Sequence, residues 1–401
     1  MTDQKSLTDQ RAEPRRFTSA RITLGRLESA VPSNFVLLLG VTIFLVVFGL
    51  VMVASSSSID SFLDSDGFFG GFWKQATYAV IGVPIMLIMS RFPISFWKRW
   101  AWPAIVFSLA LQLLVFTPLG IVDGGNRNWI AIGPVSGQPS ELVKLAMIIW
   151  LAAVLSRKQS LLTDWKHVLI PVVPVAGLAI LLVLLGHDLG TVSIMAGIVL
   201  GAMFFANVKL RYLAVPVLGG GALLAVMAIT SENRMRRIMS FLDEQCLDYE
   251  GLCWQPLHGT WALAGGGIFG RGLGNSLEKW DWLPAASNDY IFAIIGEELG
   301  LIGCIVVLAL FVVMTVVFIR IMRDARDPFT RIATGTVMVW IVGQAFVNIG
   351  VVLRVFPVLG VPLPFISAGG TALLTGLMAI GVVLSCARND DAGAARLKVA
   401  G

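Results

Sequence analysis

At 401 residues, 56% hydrophobic and only 14% charged, with a mean hydropathy of +0.81, the chain carries far fewer charges than the roughly 25% of soluble domains. That composition excludes an ordinary soluble enzyme, offers no basis for a nucleic-acid partner, and indicates an integral membrane protein. The formal net charge of +5 is small, so the placement of the charges says more than their sum.

Residues 1–32 are polar and basic, with Lys5, Arg11, Arg15, Arg16, Arg21 and Arg26. They contain no short apolar core ending in small residues, and so no signal peptide is read there. Phe17, Ile22, Leu24 and Leu27 among the arginines would allow a short interfacial helix, but a basic tail is the simpler reading. Ten apolar runs follow, near 34–54, 72–90, 101–120, 139–156, 167–186, 189–206, 212–230, 288–318, 332–353 and 365–386. Each approaches the ~20 residues needed to span a bilayer. The eighth is long enough to tilt or to project beyond the bilayer. The expected fold is an all-α integral membrane protein of ten transmembrane helices. A polytopic domain covers 33–387, a long extracellular loop at 231–283 joins helices 7 and 8, and a tail covers 388–401.

Orientation follows from lysine and arginine. Of the 30, 21 fall on the face that holds both chain ends. Both termini are therefore expected in the cytoplasm and the 231–283 loop outside. Cys304 and Cys386 sit in apolar helices as small core residues. Cys246 and Cys253 share the polar loop, where a disulfide is open to them if the loop lies outside the cell. Their spacing matches no zinc pattern.

Several polar clusters interrupt this apolar background. Asn126-Arg-Asn-Trp129 is followed by Gln138-Pro-Ser-Glu-Leu-Val-Lys144, where Pro139 reads as a helix start. Glu141 and Lys144, three apart on one face, either form a buried ion pair or place Lys144, with Arg127, against phosphate or sugar groups. His187-Asp188-Leu-Gly-Thr191 reads first as a helix cap, since no serine or cysteine elbow accompanies it. Arg234, Arg236 and Arg237 lie in the long loop, ahead of the glycines of 265–274. Gly265–Gly270 fits the spacing of a dinucleotide fingerprint but follows no strand of a βαβ unit. Those glycines suit the close approach of an anion or a neighbouring helix. No Walker A sequence is present, which argues against an ATP-driven pump.

The segment Trp282-Leu-Pro-Ala-Ala-Ser-Asn-Asp289 runs straight into an apolar helix bearing Glu297 and Glu298. Asp289 reads either as a helix cap or as a general base at the mouth of a cavity. Glu297 lies about 12 Å deeper along a helix, too far to share its proton. Further on come Gln344 and Asn348, then Arg354 to Thr371, where Pro357, Pro362 and Pro364 forbid a continuous helix. A rigid re-entrant loop is expected, and Ser367, Gly369 and Thr371 offer hydroxyls and amides to a ligand.

In order along the chain, Arg127-Asn-Trp-Ile, Gln138-Pro-Ser-Glu-Leu-Val-Lys, Asp188-Leu-Gly-Thr, Arg236-Arg-Ile-Met-Ser-Phe-Leu-Asp, Asn288-Asp-Tyr-Ile-Phe-Ala-Ile-Ile-Gly-Glu-Glu-Leu-Gly and Pro362-Leu-Pro-Phe-Ile-Ser-Ala-Gly-Gly resemble the motifs of the SEDS family. This is the FtsW and RodA type of cell-wall glycosyltransferase, and the likeness is greater to the division type than to the elongation type. The resemblance implies an enzyme of the bacterial cell membrane, at the division septum, that polymerises lipid II into glycan strands. Its implied partners are a class B penicillin-binding protein and other division proteins.

The family's essential aspartate falls on Asp289, and the charged positions of its cavity on Arg127 and Lys144, with Glu141 beside them. Arg234 and Arg236 would join them in holding diphosphate. No metal motif is visible, although a divalent cation such as Mg²⁺ or Mn²⁺ would suit a diphosphate leaving group. Where the family usually has Pro-Glu-Ala-His-Thr-Asp, this chain has Pro284-Ala-Ala-Ser-Asn-Asp, and Leu359 and Ala368 replace a usual threonine and tyrosine. Lipid II transport and a non-catalytic division scaffold are the rival readings.

Overall fold

In a membrane a backbone can satisfy its own hydrogen bonds only as a helix or a closed barrel, and the apolar runs of this chain form helices. The computed structural model describes residues 33–63, 67–123, 126–133, 135–230, 235, 239, 241, 251 and 253–400. Helices α1 (Ser33–Ser56), α2 (Ser58–Leu63), α3 (Gly70–Met89) and α4 (Ile94–Leu113) come first. A small antiparallel sheet, β1 (Gly120–Asp123), β2 (Asn126–Ile132) and β3 (Val135–Gly137) in that order, separates them from the rest. Then follow α5 (Pro139–Arg157), α6 (Trp165–Leu185), α7 (Leu189–Phe205), α8 (Leu210–Thr230), α9 (Trp254–Gly266), α10 (Ile291–Asp324), α11 (Pro328–Val352) and α12 (Gly370–Ala400).

Eight helices among the described residues are long and apolar enough to cross a membrane: α1, α3, α4, α5, α6, α10, α11 and the Gly370–Asn389 part of α12. The remaining two expected spans are also helical. They are α7, with 17 residues, and α8, with 21. The sheet at 120–137 and helix α9 inside the 231–283 loop are additions to the expected helices. The expected N-terminal tail, Cys246, Arg234, Arg236 and Arg237 lie outside the described residues.

The bundle is organised around α5, whose residues from Pro139 to Ala153 are buried on nearly every side. Spans α1, α3, α4 and α6 bury one stripe and leave the opposite face, for example Val36, Phe44 and Val47 of α1, open to lipid. Small residues let helices approach, as membrane packing requires. Gly201 of α7 sits against Val339 of α11, and Gly82 of α3 against Leu377 of α12.

The expected long eighth span is broken rather than simply tilted. Within α10, Gly300 adopts φ 67° and ψ −165°, a region open almost only to glycine. The break would leave carbonyls and amides unpaired inside the bundle, which is costly there. The chain just after α9 fills the gap. The amides of Arg271 and Gly272 donate to the carbonyls of Glu297 and Glu298, each at 2.9 Å, while Leu301 N donates to Gly267 O at 2.9 Å and Ile302 N to Ile268 O at 3.3 Å. The glycine-rich stretch therefore serves close approach to a neighbouring helix.

Candidate functional site

The site lies where four non-helical segments meet at the end of the bundle that carries the small sheet. The first is the turn 284–290, which leads into α10. Tyr290 occupies the N-cap position of that helix and makes no side-chain capping bond, and Asp289 stands one residue before it. Asp289 is half-buried. Its Oδ2 lies 3.5 Å from where a Cβ on Gly360 would stand, which places the carboxylate against the second segment, the irregular loop 353–369.

Two side chains bind the turn to that loop. Asn348 Nδ2 donates both to Asp289 O at 2.7 Å and to Val361 O at 2.8 Å. Ser367 Oγ donates to Asn288 O at 2.6 Å and accepts from Leu363 N at 2.8 Å. Ala368 N adds a bond to Ser287 O at 2.9 Å. The prolines remove donors and fix φ, and the loop's buried side chains Val361, Leu363, Phe365 and Ile366 hold it in the protein. The expected rigid non-helical loop is thus present. Gly49 of α1 touches it so closely that an added Cβ would lie 2.4 Å from Phe365 O.

The third segment is the α6–α7 turn. His187 takes φ 66°, and Asp188 caps α7 by accepting from Thr191 N at 2.9 Å. Its other oxygen accepts from Asn128 Nδ2 at 2.7 Å and Gln138 Nε2 at 3.0 Å. Asp188 is therefore a structural hub joining sheet, α5 and α7, in line with the cap reading. The fourth segment is the sheet itself, tied to the α6–α7 turn by Arg127 N donating to Gly186 O at 2.8 Å.

The cationic residues expected in the cavity separate into two places. Arg127 Nη2 donates to Thr117 O at 2.9 Å, while its buried Nε has no protein partner. Lys144 is 1% exposed and Glu141 2%. They pair at 2.8 Å, and the ammonium also meets Gln344 Oε1 at 3.3 Å and lies 4.9 Å from the Trp340 ring centroid. Arg127 and Lys144 share no partner. Glu141 lines a small cavity of about 20 Å³ together with Gln344, Pro362, Ser367 and Gly369, a volume that fits a single water.

The ligand groups expected at the start of α12 are engaged by protein. Gly369 N donates to Gln75 Oε1 at 3.2 Å, and Thr371 Oγ1 accepts from Gln138 N at 3.3 Å. The acids beyond Asp289 are structural. Glu297 accepts from Ser276 Oγ at 2.5 Å and Leu277 N at 3.0 Å, and pairs with Arg271 at 3.4 Å. Glu298 accepts from Ser55 Oγ at 2.6 Å and pairs with Lys279 at 3.5 Å. Cys253 is disulfide-bonded, whereas Cys304 and Cys386 are buried and outside any disulfide. Beside the turn, Gly251, Trp254, Gln255 and Pro284 line an open recess of about 560 Å³.

Sequence reasoning left Gln75, Gln344 and Asn348 without roles. The signal for the last two is their spacing. Trp340, Gln344 and Asn348 recur every four residues on one face of an otherwise apolar helix, and each is bonded there, Trp340 Nε1 donating to Gln344 Oε1 at 3.0 Å.

A family model described as "Cell cycle protein", covering FtsW, RodA and SpoVE, matches residues 35–392. The chain belongs to that family. It is 36% identical over 367 residues to the "Probable peptidoglycan glycosyltransferase FtsW" of Mycobacterium tuberculosis, covering 91% of this chain and 70% of that one. To the "Stage V sporulation protein E" of Bacillus subtilis it is 36% identical over 355 residues, covering 88% and 96%.

Among solved structures, a chain from "Structural coordination of polymerization and crosslinking by a peptidoglycan synthase complex" superposes with a TM-score of 0.73 at 22% identity, over 90% of this chain and 99% of that one. The rod shape determining protein RodA of Thermus thermophilus superposes with a TM-score of 0.64 at 21% identity, over 88% and 96%. Both show the fold.

Proposed function

We propose that this chain is a peptidoglycan glycosyltransferase that polymerises lipid II into glycan strands during septal wall synthesis, with Asp289 as general base. The observation that carries the reading is the mounting of Asp289. A half-buried carboxylate stands on a turn whose neighbouring carbonyls are fixed by Asn348 and Ser367, in a chain whose relatives bear glycosyltransferase names. Lysine and arginine placement supports both termini in the cytoplasm and Asp289 on the outer side.

In the proposed reaction the acceptor sugar hydroxyl loses its proton to Asp289 as its oxygen bonds the anomeric carbon of the donor. The carbon–oxygen bond to the lipid diphosphate breaks, and the electron pair leaves with the diphosphate. Arg127, with its partnerless Nε, and the Arg234 and Arg236 segment would steady that charge. Lys144 and Glu141 stand behind the site, and Ser367, Gly369 and Thr371 shape its wall. Among the described residues no group of three or more His, Cys, Asp or Glu could hold a metal. A Mg²⁺ or Mn²⁺ ion therefore belongs to the proposal only as one held by substrate phosphates and a carboxylate, the usual manner for Mg²⁺. The proposed partners are a class B penicillin-binding protein, which would cross-link the strands, and other division proteins.

One observation favours a second reading. A broken helix such as α10 is common in transporters, which suits movement of lipid II across the membrane. Purified protein in detergent, where no second compartment exists, separates the two. Polymer from wild type and none from folded Asp289→Asn supports the enzyme. Wild-type polymer from Asp289→Asn removes Asp289 from the mechanism, and headgroup movement in liposomes without any polymer supports transport.

A further inference from the structure

The face of α11 that points at the site carries a carboxamide whose bonding goes beyond ordinary packing. Asn348 is 1% exposed, and a buried amide is costly unless bonded. Its two bonds, at 2.7 and 2.8 Å, both run to carbonyl oxygens. This fixes which end of the amide is which, because only the NH₂ can donate to both. One carbonyl belongs to Asp289. The other belongs to Val361, next to Gly360, whose α-carbon faces the Asp289 carboxylate.

We infer that Asn348 is a positioning residue for Asp289, an inference that rests on the reading of Asp289 as the base. Holding the Asp289 carbonyl fixes ψ at that residue, and with it the direction in which the carboxylate leaves the backbone. Holding Val361 O with the same NH₂ sets the distance between the turn and the loop wall on which that carboxylate rests. Ser367 repeats the device one residue earlier, through Asn288 O and Leu363 N.

Two consecutive carbonyls, at 288 and 289, are therefore held by side chains from separate elements rather than by helix bonds. One turn along α11, Gln344 continues the same contact line, donating to Pro362 O at 2.8 Å and accepting from Lys144. The loop is thereby referenced to α5 as well. A residue that sets the base acts on the chemical step. Misplacement of a reacting group by about 1 Å costs on the order of 10²-fold in rate, and it leaves substrate affinity alone because Asn348 itself is enclosed.

The test uses the full chain in detergent with lipid II, with rates referred to the folded fraction. Asn348→Asp keeps the shape but loses both donors, Asn348→Gln keeps the NH₂ on a longer stem, and Ser367→Ala removes the companion bond. For Asn348→Asp, kcat is expected to fall about 10²-fold with KM for lipid II unchanged. Asn348→Gln is expected to recover part of the rate, and Ser367→Ala to lose less than Asn348→Asp. A wild-type kcat in folded Asn348→Asp overturns the inference. So does a loss confined to KM, or a loss fully accounted for by unfolded protein. If Asp289→Asn itself keeps wild-type polymerisation, the base reading has failed, whereas an inactive Asp289→Asn beside a fully active Asn348→Asp sinks the positioning role alone.

Discussion

Replacing Lys144 by methionine asks whether that ammonium is a structural charge or a ligand for diphosphate. The change keeps the apolar stem and removes the charge from a pair whose side chains are 2% and 3% exposed. Glu141 would be left with Thr375 Oγ1 at 3.5 Å as its remaining side-chain partner. Removing one partner of a buried pair costs about 3–5 kcal/mol, because the other charge stays buried and uncompensated. Scaled from soluble domains to a chain of 401 residues, the loss corresponds to a melting temperature lower by about 4–6 °C.

Combining Lys144→Met with Glu141→Gln neutralises both ends and is expected to restore most of the melting temperature, since neutral replacements of buried pairs are often tolerated. Melting followed in detergent, together with lipid II polymerisation, reads both roles. If the pair is purely structural, the double variant melts and polymerises like wild type. If Lys144 also meets diphosphate, the double variant melts normally and polymerises poorly. A single Lys144→Met variant that melts at the wild-type temperature would refute the burial reasoning itself.

Gly300→Ala places a Cβ 2.4 Å from both Gly270 N and Ile268 O and forces a side chain into a backbone region costing about 1–3 kcal/mol. A lower melting temperature and a reduced yield of folded protein are expected, and an unchanged melt would mean that α10 is not broken there. Asp188→Ala removes the α7 cap, worth about 0.5–2 kcal/mol, and strands the amides of Asn128 and Gln138. Melting is expected to fall clearly, and Asp188→Asn, which can still accept one or two of those bonds, to fall less; equal losses would deny Asp188 the hub role.

The helices were legible because apolar run length alone specifies a spanning helix. Pro139 at the start of α5, the Asp188 cap and the Glu141–Lys144 pair followed from local spacing. Features that depend on contacts between distant segments were not legible. The eighth run reads as one continuous helix because Gly300 is an ordinary helix glycine until 267–272 lies beside it. The small sheet is hidden because its short strands, such as Asn126–Ile132, mix polar and apolar residues without clean alternation. The ligand role expected of Ser367 came from reading its hydroxyl as available, whereas Asn288 and Leu363, 79 and 4 residues away in the chain, already engage it.

The break in α10 changes what supports Asp289. A continuous span of 34 residues would couple the turn 284–290 to every tilt or bend of the lower helix. Instead Ile291–Leu299 forms a short piece held at both ends. Its N-terminal end is fixed through the carbonyls of Asn288 and Asp289. Its C-terminal end is fixed by Glu297 to Ser276 and Arg271, by Glu298 to Ser55 and Lys279, and by the backbone bonds of 267–272. Charged hydrogen bonds to enclosed carboxylates are among the stronger ones available to a protein, and here they are spent on an anchor rather than on a reaction. The base proposed at Asp289 would have to keep its geometry while the proposed lipid-linked sugar enters and leaves. A short, doubly anchored helix meets that need better than the end of a long one, because motion of Leu301–Asp324 has to pass through Gly300 before it reaches Asp289.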